Sequence, residues 1–158
     1  MNKRFYSYNE FLKDLDILEE DIKAFNPSSF VAIARGGMSI AHFLAEKLDI
    51  RDVFVINSTS YENNQKLFSP KISNIPNLNG QQRVLIIDDI SDSGETLKEV
   101  LEILKKTYPK IEFKTLTLFF KENSKLIPDI KLHKTNEWVV FFWDKEGQRR
   151  IDDLSSNK

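Results

Sequence analysis

Apolar residues recur three and four positions apart at Phe11, Leu12, Leu15, Leu18, Ile22 and Phe25, in an otherwise charged background. That period predicts an amphipathic helix over 9–25, which Pro27 terminates. The run 29–34 is short and apolar and predicts a strand, broken by Arg35-Gly36-Gly37 before a second helical stretch over 38–48. A second strand is predicted at 53–57 and a third at 83–87, the latter ending abruptly in Asp88-Asp89. A helix follows over 95–108, with Leu97, Val100, Leu101 and Leu104 on one face, and a fourth strand at 113–120. Alternating strands and helices of these lengths imply right-handed βαβ units: an α/β chain with an open, mostly parallel sheet of about five strands flanked by helices.

Three stretches break the alternation. Residues 61–82 are dominated by Asn, Ser, Lys, Pro and Gln with no sustained period, which predicts a long loop with room for a short hairpin, either a functional lid or disordered. Residues 121–144 end in Trp138-Val139-Val140-Phe141-Phe142-Trp143 and predict a small hood of short strands beside the mouth of the sheet. The charged stretch 147–158 predicts a frayed tail. With 158 residues, the chain is expected to be a single domain.

Composition narrows the chemistry. There is no cysteine, so disulfide stapling and thiol chemistry are excluded. Lys and Arg total 23 against 24 Asp and Glu, a balance that argues against nucleic acid as the main partner. No apolar stretch is long enough to span a membrane, so a soluble cytoplasmic protein without integral membrane association is expected. Twelve phenylalanines and two tryptophans point to an aromatic core or an aromatic-lined pocket.

Two predicted strand ends carry the chemistry, and in an open parallel sheet ligands bind beyond the carboxyl ends of the strands. Asp88-Asp89 are adjacent carboxylates, costly to bury alone and suited to Mg²⁺ or to sugar hydroxyls. Asp92-Ser93-Gly94-Glu95-Thr96 has the turn-forming residues of an anion nest at a helix N-terminus, with hydroxyl donors from Ser93 and Thr96. The same segment also reads as a plain helix cap, with Asp92 or Ser93 capping. It lacks the GxxxxGK[ST] pattern and its lysine, so a nucleoside triphosphate is the less natural ligand.

The stretch from Val84 to Leu97, with its hydrophobic strand, acidic pair and Asp92-Ser93-Gly94-Glu95-Thr96 loop, resembles the signature of type I phosphoribosyltransferases. The resemblance extends from about Phe5 to Asp144 and is nearest to bacterial xanthine-guanine and hypoxanthine-guanine phosphoribosyltransferases. It implies a Rossmann-like type I phosphoribosyltransferase fold with a C-terminal hood. It further implies Mg²⁺-dependent transfer of a phosphoribosyl group from phosphoribosyl pyrophosphate to a 6-oxopurine, in a homodimer or homotetramer. The acidic pair would lie over the ribose, the loop 92–96 would grip the 5′-phosphate, and Asp92 would accept a proton from purine N7.

Arg35, Gly36 and Gly37 resemble the pyrophosphate loop, although Arg35 also suits a surface ion pair. Ser60 and Tyr61 resemble the start of a flexible lid whose Lys66 and Lys71 meet pyrophosphate or only solvent. The resemblance assigns Lys121 to the purine 6-oxo group, Trp138 to stacking on the base, and backbone at Val139 to position 2. Trp138 equally suits core packing. Asp88, Asp89 and Asp144 are the implied metal ligands. Ser93 in place of the commoner threonine, the Asn-rich lid with Pro70 and Pro76, Phe141-Phe142 and the charged tail depart from the family pattern. A regulator on the same fold, or an enzyme for another base, are the alternatives.

Overall fold

The third predicted strand runs four residues past its apolar stretch, and that extension positions the chemistry. The computed structural model describes residues 2–62 and 65–156. In it β5 spans Arg83–Ser91, so Asp88 and Asp89 lie inside a paired strand rather than after one. The other elements are β1 (Lys3–Tyr6), α1 (Tyr8–Phe25), β2 (Ser29–Ala34), α2 (Gly36–Leu48), β3 (Val53–Glu62), β4 (Gln65–Ser73), α3 (Glu95–Thr107), β6 (Glu112–Phe120), β7 (Ile130–Lys134), β8 (Trp138–Phe141) and α4 (Lys145–Ser156). No described helix is long and apolar enough to cross a membrane.

The chain divides into two compact units, Leu18–Thr135 and a smaller one of Met1–Ile17 with Asn136–Lys158. The larger holds a six-stranded sheet of order β4-β3-β2-β5-β6-β7, parallel except for the β3/β4 pair. The α/β reading with a mostly parallel sheet holds, with six strands in place of about five. Both faces of the central strands are covered, which is why β2 and β5 read as unbroken apolar runs rather than alternating ones. Val31, Ile33, Val84 and Ile86 join Leu97, Val100 and Leu104 of α3 in one buried cluster. Each such fully buried aliphatic side chain stabilises the fold by roughly 1.5–3 kcal/mol.

Three expectations are corrected. Residues 61–82 are not mainly loop: β3 continues to Glu62 and β4 returns antiparallel, leaving only 74–82 irregular among the described residues. The register slips between Thr59↔Lys71 and Tyr61↔Lys66, so Leu67–Pro70 bulges opposite Ser60. Pro70 is tolerated there because β4 is an edge strand and a bulge has no rung to lose. The stretch 121–144 does not place its strands in one sheet. It divides between β7, which extends the main sheet, and β8, which pairs in parallel with β1.

The third correction is the tail, which is helix α4 rather than frayed. Its anchors lie within the smaller unit. A Cβ at Gly147 would stand 2.0 Å from the Phe141 carbonyl oxygen, Arg150 lies 4.7 Å over the Phe5 ring, and Lys3 pairs with Glu146 at 2.7 Å. The same unit contains an aromatic cluster in which Trp143 stacks on Phe141 at 4.8 Å and Tyr6 meets both edge-on. The Tyr6 hydroxyl donates to Asp14 at 2.5 Å, and burial followed by that carboxylate pushes the phenol above its ordinary range. Ser7 and Glu10 form a reciprocal capping box at the start of α1.

Candidate functional site

The carboxyl ends of β2 and β5, neighbours in the sheet, bring the two predicted loops together. A Cβ built on Gly36 would lie 2.2 Å from Asp89 Oδ2, and one on Gly37 only 2.1 Å from the Ile87 carbonyl oxygen. Any larger residue would therefore force the Arg35-Gly36-Gly37 loop off the acidic pair. The Ala34–Arg35 peptide is cis. Arg35 is exposed and makes no ion pair among the described residues, so the surface-pair reading finds no support here.

Asp88 and Asp89 oppose each other electrostatically. Asp88, only partly accessible along its strand, has its carboxyl pushed well above the usual range, first by burial and then by the Asp89 charge. The Asp89 N–H, donating to Asp88 Oδ1 at 2.9 Å, offsets part of that. A pair held in this state gains most from a nearby cation, so the donor set fits a divalent ion such as Mg²⁺. No three acidic or imidazole groups converge among the described residues, so such an ion would lean on this pair and on ligand phosphate oxygens. Asp144 lies in the smaller unit, where its Oδ2 accepts the Phe141 N–H at 3.1 Å.

Past the acidic pair, Gly94 adopts φ 77° and is the N-cap of α3. That left-handed conformation costs glycine little, and without a side chain it leaves the first-turn N–H groups uncapped by its own residue. Ser93 Oγ reaches Glu95 N only at 3.4 Å, too long for a firm cap. The loop that results borders a small concavity lined by Asp88, Ser91, Asp92, Ser93, Gly94 and Thr96. A second cleft is shared by Asp92, Ser93, Glu95 and Thr96 with Ser60, Leu67 and Pro70 of the hairpin. Residues at the bulge thus line the same cleft as the loop 92–96. The side chains of Tyr61 and Lys66 lie outside the described residues.

The turn after β6 supports this loop from behind. The Lys121 N–H donates to Ser91 O at 3.0 Å and the Lys125 N–H to Ser93 O at 2.8 Å. Ser91 Oγ, buried, lies 2.7 Å from both Ser124 Oγ and the Leu126 carbonyl. A Cβ on Gly94 would meet Ser124 Oγ at 2.2 Å, so turn and loop are packed to contact. Lys121 Nζ lies 2.6 Å from Asp92 Oδ1, which joins two sequence-predicted residues directly. Lys125 Nζ stands 2.6 Å from Glu95 Oε1. Ser91, Ser124 and Lys125 carry no sequence signal of this role, because their partners are remote in the chain.

Trp138 is 55 % exposed, which removes the core-packing reading for it, while Val139 is buried. In parallel pairing alternate residues face the partner strand. Trp138 N donates to Asn2 O and Phe142 N to Tyr6 O, so the Val139 backbone N–H points away from β1.

Residues 10–148 match the model of the phosphoribosyl transferase domain. A xanthine-guanine phosphoribosyltransferase of Cereibacter sphaeroides is 32% identical over 119 residues, covering 72% of this chain and 67% of that protein. Its counterpart from Nitratidesulfovibrio vulgaris (strain Hildenborough) is 33% identical over 75% of this chain and 69% of its own length. The aligned region thus spans about two thirds of these curated relatives. Among solved structures, the Helicobacter pylori xanthine-guanine-hypoxanthine phosphoribosyltransferase superimposes with a TM-score of 0.86 at 34% identity, covering 98% of this chain and 99% of that one. A purine phosphoribosyltransferase from Pyrococcus horikoshii gives 0.79 at 31%, covering 92% and 95%. With the acidic pair, the glycine loop and the loop 92–96 at one sheet end and a domain match over most of its length, the chain belongs to the phosphoribosyltransferase family.

Proposed function

We propose that the protein is a purine-salvage enzyme that transfers the 5-phosphoribosyl group of phosphoribosyl pyrophosphate to N9 of a 6-oxopurine, releasing pyrophosphate. One observation carries this reading: Gly36 against Asp89, and Lys121 on Asp92 beside the nest, gather donor and acceptor functions at the carboxyl ends of adjacent strands. The named relatives act on xanthine and guanine or on purines, in agreement with that choice of acceptor.

In this reading the nest N–H groups and the Ser93 and Thr96 hydroxyls receive the 5′-phosphate. Asp88 and Asp89 hold the ribose hydroxyls, and Mg²⁺ on that pair would neutralise the diphosphate. The loop Arg35-Gly36-Gly37 offers backbone donors to pyrophosphate. As purine N9 bonds to the ribose C1′, the bond from C1′ to the pyrophosphate oxygen breaks and its electron pair leaves with pyrophosphate. Asp92, once released from Lys121, takes the N7 proton.

Lys121, all donor and no acceptor, then suits a 6-oxo group and opposes a 6-amino group. Within the smaller unit, Trp138 presents an exposed aromatic face and the Val139 N–H points away from β1, the groups that the family resemblance assigns to stacking and to position 2.

The test is a panel of adenine, guanine, hypoxanthine, xanthine, uracil and orotate, each with phosphoribosyl pyrophosphate and Mg²⁺, read as pyrophosphate release. A 6-oxopurine is expected to be preferred over adenine by factors on the order of 10⁴. Preference for adenine or a pyrimidine overturns the role of Lys121. Donor binding with no turnover on any base replaces the enzyme by a regulator.

A further inference from the structure

We infer that Ser91 is a positioning residue: its hydroxyl aligns the turn that carries Lys121 with the loop 92–96, so that one body grips both halves of a ligand. The inference rests on the purine phosphoribosyl reading, in which the loop takes the phosphate and Lys121 the base. Ser91 ends β5 and is 1% exposed, so its hydroxyl must find partners inside the fold. Both lie in the turn after β6, 33 and 35 positions away: Ser124 Oγ and the Leu126 carbonyl, each at 2.7 Å.

Ser124 Oγ also lies 2.9 Å from the Leu126 carbonyl, so the three oxygens form a closed set. Two hydroxyl protons serve three contacts, which makes the two deletions unequal. Without the Ser124 hydroxyl, Ser91 still donates across to Leu126 O and the tie survives. Without the Ser91 hydroxyl, Ser124 donates to Leu126 O inside its own turn. Both remaining oxygens then stay paired, but no side chain of the set joins strand to turn. Only backbone bonds are left, from the Lys121 N–H to Ser91 O and from the Lys125 N–H to Ser93 O. Gly94 shows how little slack the joint has, since a Cβ there would overlap Ser124 Oγ and crowd the Leu126 nitrogen. On one side of this joint lies the N-terminus of α3, and on the other Lys121, its Nζ 2.6 Å from Asp92 Oδ1. A 6-oxopurine nucleoside monophosphate spans both sides and depends on their alignment. A sugar phosphate fills the loop alone.

Two probes separate alignment from loop shape: ribose 5-phosphate and guanosine 5′-monophosphate. Each is titrated calorimetrically into the full chain for wild type, Ser91→Ala, Ser124→Ala and the double variant. Ser91→Ala is expected to weaken the nucleotide roughly three- to tenfold, the scale of one hydrogen bond, and ribose 5-phosphate less than about twofold. Ser124→Ala is expected to cost the nucleotide less than about twofold, and the double variant to fall within about twofold of Ser91→Ala. Equal losses of the two probes in Ser91→Ala would mean that the hydroxyl shapes the loop and aligns nothing. Undiminished nucleotide affinity would mean that the tie is idle, and a Ser124→Ala loss matching that of Ser91→Ala would refute the unequal deletions. Each of these overturns the inference and leaves the phosphoribosyl reading intact. A wild type that binds the nucleotide no more tightly than ribose 5-phosphate removes the purine reading and the inference together, and one that binds neither removes the phosphoribosyl reading as well.

Discussion

The two ends of the main sheet are built to opposite standards. At the amino ends of β2, β5 and β6, polar groups find neutral or opposite partners. Ser28 donates to Gln81 and receives the Gln82 N–H, Gln81 donates to Asp52, Arg83 donates to the Asn26 carbonyl, and Tyr108 to that of Pro76. Gly80, there, has open space around the position of a Cβ. At the carboxyl ends two carboxylates adjoin, one of them partly buried and pushed toward protonation, and Gly36, Gly37 and Gly94 have no room for a methyl group. The first end is arranged for stability. The second carries unfavourable local terms that a ligand would relieve, as expected where function resides.

The largest effect expected from this contrast is at Gly37. Gly37→Ala would drive a Cβ into the Ile87 carbonyl, displacing the glycine loop from Asp88-Asp89. We expect at least a 100-fold loss of pyrophosphate release, with binding of ribose 5-phosphate at the nest reduced far less. Equal loss of both would show that the two loops are not separable.

Asp88→Asn sharpens the comparison through pH. The carboxyl of Asp88 is raised in the folded state, so the fold binds this proton more tightly than the unfolded chain does. Its ionisation therefore costs stability as pH rises above the ordinary carboxylate range, and the cost is absent below that range. Asp88→Asn is expected to raise the melting temperature at pH 7 but not near pH 4, while Mg²⁺-dependent donor binding falls about tenfold or more. A lower melting temperature at pH 7 would show that Asp88 is stabilising rather than strained.

The smallest expected effect is at the other end. Gly80→Ala meets no atom, so only its φ of 88° is at issue, and the cost should be about 1–2 kcal/mol of stability with activity unchanged. Loss of activity in this variant would break the division between the ends.

The same contrast separates what is legible in the chain from what is not. The apolar runs at 29–34 and 83–87 announce buried strands because a strand covered on both faces has no polar side to display. The acidic pair and Asp92–Thr96 are legible because they are contiguous and local chemistry decides their shape. The hairpin is not: β4 is an edge strand, so Gln65, Phe68 and Ser69 point to solvent and the alternation that marks a strand is erased. Helix α4 is hidden for a related reason, since charged Glu146 and Arg150 are held by ionic and ring contacts rather than by apolar periodicity. The pair of Lys125 with Glu95 spans thirty positions, and no local pattern reports it.

The bulge at Leu67–Pro70 has a consequence for the fate of the protein in a crowded solution. A sheet whose outermost strand shows a straight row of free amide and carbonyl groups is a template on which other chains can polymerise. In β4 the proline withholds one donor and the slipped register twists the row out of line, with Lys71 adding a charge beside it. The same bulge that borders the cleft makes that edge a poor seed for intermolecular pairing.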